Sequence, residues 1–232
     1  MPILWHNVPR KNNQIAEKSL PTESLLTVDE LAYERDDCNV FNPINLVVEA
    51  GDILQIEGAN GAGKTTLMRL LTSALQQTSG SIAYQGQSIA QCRYEYLADI
   101  LYIGHQSGTK MGLSPAENLR WMSPASTSKA DITHALENLG LAGYTDVPCY
   151  SLSAGQHRRV ALARLATSQA KIWYLDEPFT AIDKQGVKAI EKQLQNHAEQ
   201  GGAVVLSTHQ DLALDTVRKY SIEAHADRGA LQ

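Results

Sequence analysis

Apolar residues recur along the chain as short β-type runs and as helix-spaced stripes, and their order predicts an α/β protein. Residues 25–33, 45–49 and 53–57 are rich in Leu, Val and Ile and read as strands, as do 81–84 and 100–103. Leu67, Leu70, Leu71, Ala74 and Leu75 fall at i, i+3, i+4, i+7 and i+8, which predicts a one-faced helix carrying all five. From 114 to about 140 the helical period dominates. Ser114, Pro115 and Glu117 form a capping-box pattern with proline at the first helical position, and Ile132, Ala135, Leu136 and Leu139 share a face. Residues 107–150 are therefore expected to be a helical insert.

After residue 150 the alternation resumes. A helix is predicted over 158–167, a buried strand over 171–175, a long helix over 184–200 and another buried strand over 203–206. The continuous run Ile172, Trp173, Tyr174, Leu175 suits a parallel sheet covered on both faces, with active groups gathered at the carboxyl ends of its strands. Residues 1–24, where Pro2, Pro9 and Pro21 stand among polar residues, show neither period and read as an arm or tail. Residues 25–232 remain as one domain.

The length of 232 residues suits one large α/β domain or a core with a smaller insert. A formal charge of −5 argues against a general nucleic-acid binder, so any contact with phosphate must be local. Cys38, Cys92 and Cys149 are far apart and outside any C-x-x-C spacing, which suggests neither a disulfide framework nor a zinc site and fits a reducing compartment. No apolar run approaches the roughly 18 residues needed to span a bilayer, and the N-terminus lacks a signal-peptide pattern. The chain is expected to be soluble, with a separate subunit supplying any membrane spans.

Gly58, Ala59, Asn60, Gly61, Ala62, Gly63, Lys64 and Thr65 satisfy G-x-x-x-x-G-K-[ST] at every constrained position, with Thr66 next in the following helix. Glycines allow consecutive N–H groups to turn inward around an anion, Lys64 adds a charge at the β/γ-phosphates, and the Thr65 hydroxyl can ligate Mg²⁺. The strand before the loop and the helix after it aim a helix N-terminus at the phosphates. A nucleoside triphosphate is the predicted ligand. Asp176 and Glu177 end the run 171–175, where one carboxylate can approach Mg²⁺ and its neighbour can orient a water.

Leu152, Ser153, Ala154, Gly155 and Gln156 precede the Arg158 helix, and His209 follows the strand 203–206. The order phosphate loop, L-S-x-G-Q, apolar strand with Asp-Glu, then an isolated histidine resembles that of ATP-binding cassette ATPases. That resemblance implies a P-loop NTPase fold with a mainly parallel core sheet, an antiparallel β subdomain and the helical insert. It implies that Ser153, Gly155 and Gln156 contact the γ-phosphate held by the opposite subunit, with Ala154 in place of the usual glycine; Ser153 can cap its helix at the same time. It further implies that Glu177 and His209 are catalytic, that Gln106 bridges Mg²⁺ or water to the insert, and that Asp183 is an acid across a dimer interface. The adenine-stacking aromatic of the family has no clear counterpart here: Arg35 occupies its place, and Tyr33 reaches it with a register shift.

The phrases at 102–108, 152–165 and 176–183 resemble the cytochrome c maturation, or haem exporter, branch of that family. This implies ATP and Mg²⁺ as cofactors, and a homodimer of nucleotide-binding subunits on the cytoplasmic face of the bacterial inner membrane. The dimer would dock on an integral-membrane subunit resembling CcmB and work with CcmC and CcmD, its hydrolysis linked to release of the haem-loaded chaperone CcmE. No nucleic acid is expected. His105 and His157 are flanked by nucleotide motifs and no C-x-x-C-H occurs, so the residues themselves do not point to haem. The alternatives are an ABC exporter with an unrelated cargo, a soluble ABC ATPase that acts on nucleic acid, and a nucleotide kinase. The last explains neither the L-S-x-G-Q segment nor His209.

Overall fold

A computed structural model describes residues 24–214 and 216–225; the predicted arm, Ser24 excepted, lies outside the described residues, as do residues 226–232 of the predicted domain. Strands in chain order are β1 (Ser24–Ala32), β2 (Glu34–Arg35), β3 (Cys38–Asn39), β4 (Ile44–Glu49), β5 (Ile53–Glu57), β6 (Ser79–Tyr84), β7 (Gln87–Ser88), β8 (Ile100–Ile103), β9 (Ile172–Asp176), β10 (Ala203–Ser207) and β11 (Val217–Ser221). Helices are α1 (Lys64–Leu71), α2 (Arg93–Ala98), α3 (Pro115–Met122), α4 (Lys129–Asn138), α5 (Ala154–Ala163) and α6 (Lys184–Glu199).

The central sheet runs β11-β5-β10-β9-β8 and every pairing in it is parallel. Each residue of β9 and β10 is buried, and their side chains alternate between two cores. Tyr174 and Val205 join Leu67, Leu70 and Leu71 of α1 on one face. Trp173, Leu175, Val204 and Leu206 pack with the insert and with α5 and α6 on the other. Covering on both faces is why these strands read as unbroken apolar runs. Ser207 pairs with Ile56 on one side and Asp176 on the other, so β5, β10 and β9 end at one edge of the sheet. That register sets the loop after β5 beside Asp176 at the end of β9 and Glu177 just after it.

A second, antiparallel sheet of order β4-β1-β6-β7 packs over the α1 face. In β4 the inward Ile44, Leu46 and Val48 alternate with exposed residues, as expected when one face meets water. The insert holds α3 and α4, and both begin with a complete capping box, on Ser114 with Glu117 and on Ser128 with Asp131. Among the described residues no helix is long and apolar enough to cross a membrane.

Some expectations need correction. Helix α1 ends at Leu71, before Ala74 and Leu75, because the Thr72 hydroxyl donates back to Met68 O at 2.8 Å and Ser73 turns to φ 55°. Helix α5 starts at Ala154, ahead of the predicted 158, because Ser153 caps it; residues Arg164–Thr167 continue as a 3-10 turn. Strands β6, β9 and β10 are offset or extended by one or two residues from the predicted bounds. The hairpin β2–β3, α2 and β11 were not predicted. Strand β11 lies at the sheet edge and carries Arg218 and Lys219, which pair with Asp52 at 3.2 Å and Glu57 at 2.7 Å, so it shows no apolar period.

Candidate active site

The turn from β5 into α1 bounds a cavity of about 550 Å³. Gly63 caps α1 at φ 103°, and a Cβ there would lie 2.7 Å from Phe41 Cδ1 and 2.9 Å from Val40 Cγ1, so only glycine fits. Ala59, Asn60, Gly61, Lys64, Thr65 and Thr66 line this cavity together with Gly63. Gly58 contributes its carbonyl: Lys64 Nζ donates to Gly58 O at 2.6 Å and Ala59 O at 3.2 Å, which holds the ammonium across the loop. Ala62 is buried and donates its N–H to Ala59 O, closing the turn. Free N–H groups at a helix N-terminus plus a fixed ammonium make an anion site.

Across the cavity stand the two acids. Asp176 is 2% exposed and accepts from the Thr65 hydroxyl at 2.8 Å and the Ser207 hydroxyl at 2.6 Å. Glu177 leaves the strand at φ 50°, a left-handed conformation that non-glycine residues rarely adopt. Its N–H donates to Ser207 O at 3.0 Å and lies 3.2 Å from Ser207 Oγ, and its Oε1 lies 3.5 Å from His209 Nε2. Glu177, Thr180 and His209 all line the loop cavity, so one pocket joins an anion site to a carboxylate and an imidazole. Such a pocket can hold a phosphate chain and take a proton from water.

Helix α5 enters from behind. Ser153 and Gln156 form a reciprocal cap: Ser153 N donates to Gln156 Oε1 at 2.8 Å and Gln156 N donates to Ser153 Oγ at 3.3 Å. Gly155 lies against the turn after Glu177, where a Cβ would sit 2.9 Å from Ala181 O. Arg158, 6% exposed, sends its guanidinium under the acids, while Arg159 donates to Leu139 O at 3.1 Å and pairs with Asp183 at 2.6 Å. Burial pulls the Arg158 guanidinium below its ordinary pKa, and the nearby Asp176 and Glu177 charges counter it. Asp183 also caps α6 by accepting from Gly186 N at 2.8 Å. That backbone donor first, then Arg159, holds its carboxyl below the usual range.

The structure thus gathers the loop residues, Asp176, Glu177 and His209. Gln106 stands apart, exposed on a neighbouring cavity of about 610 Å³ that shares Thr65 and Asp176 as its wall. Ser153, Gly155 and Gln156 line neither cavity of their own chain. Of the two base-stacking candidates, Arg35 lines the loop cavity and Tyr33 packs against the antiparallel core. Ser207 and Arg158 received no role from sequence. A buried serine at the end of an apolar strand and the first of two adjacent arginines were the only signals.

Comparisons with known proteins agree with this geometry. The family described as ABC transporter matches residues 41–180, more than half of the chain. The cytochrome c biogenesis ATP-binding export protein CcmA of Vibrio vulnificus strain YJ016 is 45% identical over 202 residues, covering 86% of this chain and 98% of that protein. The protein of the same name from Hahella chejuensis is 47% identical over 203 residues, covering 86% and 96%. Among solved structures, a putative ABC transporter ATP-binding protein from Pyrococcus furiosus superposes with TM-score 0.73 at 26% identity, covering 84% of this chain and 96% of that one. A dimeric ATP-binding cassette in a post-hydrolysis state, bound to ADP and phosphate, shares the fold with TM-score 0.74 at 21% identity, covering 85% and 94%. The chain binds and hydrolyses ATP as a subunit of a transporter complex with membrane partners. It belongs to the ABC transporter family and, within it, to the cytochrome c biogenesis ATP-binding export proteins.

Proposed function

We propose that two copies of this chain clamp ATP between them and drive an exporter-type complex of cytochrome c biogenesis from the cytoplasmic face of the bacterial inner membrane. The membrane partner is a subunit resembling CcmB, with CcmC and CcmD, and the cycle serves haem export or release of haem-loaded CcmE. Relatives at 45–47% identity support that assignment. One observation carries the clamp: the loop and the acids share a cavity that Ser153 and Gly155 of the same chain do not line, so those residues are free for a partner's nucleotide. The ATPase domain is taken to run from residue 25 to 232, with the insert at 107–150.

In this reading the N–H groups of 58–65 that the loop does not use in its own turn, together with Lys64, bind the β- and γ-phosphates, with Thr66 at the helix start. Thr65 and Asp176 present an alcohol and a carboxylate 2.8 Å apart at the cavity floor. These hard oxygen donors suit Mg²⁺, which keeps its other positions for phosphate and water and needs no larger protein cage. When bound, Mg²⁺ would supply positive charge against the phosphate chain. Glu177 takes a proton from the attacking water, and His209 donates to the γ-phosphate. Ser153, Gly155 and Gln156 of the other copy close over the same phosphate. Gln106, on the adjacent wall, reports the site's state to the insert. Arg35 faces the base.

The test is purified Glu177→Gln. It should retain ATP binding, form a dimer with ATP, and turn over about 10²–10⁴-fold more slowly, the usual scale for losing a general base. Near-normal hydrolysis overturns the assignment. Co-purification of the native chain with a polytopic CcmB-like protein supports the cytochrome c reading, and reproducible capture with a different membrane subunit replaces it by an exporter of another cargo.

A further inference from the structure

Arg158 is a buried cation with no carboxylate partner within salt-bridge distance among the described residues; its donors are spent on backbone. Nη1 donates to Gly104 O at 2.5 Å, Nη2 to both Asp176 O and Glu177 O at 2.8 Å, and Nε to Pro178 O at 3.4 Å. These four carbonyls belong to two separate segments: the one leaving β8 toward Gln106, and the end of β9 with the turn that carries Glu177. The guanidinium itself rides on α5, whose first turn holds Ser153 and Gly155.

We propose that Arg158 is a positioning residue for hydrolysis, fixing the strained Glu177 turn to the helix that reads the partner's nucleotide and to the segment that leads to Gln106. The proposal rests on Glu177 as the general base. A residue at φ 50° keeps that conformation only where its surroundings over-determine it. Ser207 holds the Glu177 N–H from the β10 side, and Arg158 holds the carbonyls before and after the same Cα from the α5 side. The planar fork matters. Lysine has one nitrogen on a flexible stem and cannot span carbonyls of residues 104 and 176–178 together. A displacement of α5 on clamping is thereby passed to the Glu177 carboxylate and to the Gly104 segment at once.

Arg158→Lys and Arg158→Gln test this in the full chain. Both should bind ATP with KM within about twofold of the parent, while kcat falls by about 10²-fold, the scale for a misplaced reacting group. A purely structural arginine would show no coupling to Glu177. Arg158→Lys is therefore combined with Glu177→Gln. If Arg158 acts through Glu177, the double variant is scarcely slower than Glu177→Gln alone; if the two losses multiply in full, the proposal is overturned. An unchanged kcat, or failure of both single variants to fold, equally overturns it in favour of a structural role. Glu177→Gln alone, with normal turnover, would instead sink the underlying reading of the base.

Discussion

Thr65 and Asp176 are 111 positions apart in the chain, and the hydroxyl of one donates to the carboxylate of the other at 2.8 Å. The parallel register of β5, β10 and β9 creates this meeting, and Ser207 completes it from the middle strand. Both Asp176 oxygens therefore accept from alcohols.

Asp176→Asn replaces one acceptor by a donor and removes the charge. Hydrogen bonds to charged groups contribute about 1.5–3 kcal/mol, so ATP affinity in the presence of Mg²⁺ should fall by about 10–10²-fold. Affinity measured with a chelator should hardly change. Calorimetric titration with and without Mg²⁺ reads the difference, and a variant that keeps its full Mg²⁺ dependence would show that Asp176 does not bind the metal.

The Glu177 backbone yields a second expectation. A non-glycine residue at φ 50° costs about 1 kcal/mol. Glu177→Gly should therefore unfold at higher denaturant than Glu177→Gln, by about 1 kcal/mol in free energy, although both lack the base. Equal or lower stability of the glycine variant would mean that the turn is unstrained.

Legibility follows from what each residue needs. The loop and Asp176-Glu177 stand out in the sequence because the phosphate and metal binding proposed for them demands particular residue types at set spacings. Arg158 and Arg159 are the same residue type side by side, yet one is buried under four carbonyls and the other pairs with Asp183. Only packing separates them. The stripe through Leu75 continues the helical period past the point where Thr72 and Ser73 end the helix, because a local hydrogen bond and a left-handed residue leave no trace in hydrophobic spacing. Gln156 and Asp183 carried roles from the family resemblance, and the structure gives each a capping bond as well. One side chain can do both.

That double use can be separated at Ser153. Ser153→Ala loses the α5 cap and should cost about 1 kcal/mol of stability. Ser153→Asp keeps a good cap and a favourable charge at the helix N-terminus, so its stability should stay near the parent's. Its carboxylate would then face the partner's γ-phosphate, and ATP-driven dimerisation and turnover should be lost. A Ser153→Asp chain that hydrolyses ATP normally would leave Ser153 as a cap and nothing more.

His197 predicts how stability depends on pH. Its ring stacks on Trp173 with centroids 3.8 Å apart and planes 4° from parallel, and Nε2 lies 3.2 Å from Lys171 O. A Cβ on Gly202 would come within 2.2 Å of the same nitrogen, so the ring has little room to leave. Burial lowers its pKa from 6.5, against backbone contacts at Lys171 and Ala203 that raise it. The unfolded chain then binds a proton more readily than the folded one. The neutral ring's contribution is complete above about 6.5 and declines as pH falls from there through the folded value. The thermal stability of the parent should fall as pH drops through that window, and His197→Phe, which keeps an aromatic ring on Trp173 but cannot titrate, should show a shallower fall. Parallel curves for the two proteins would assign the acid sensitivity to other groups.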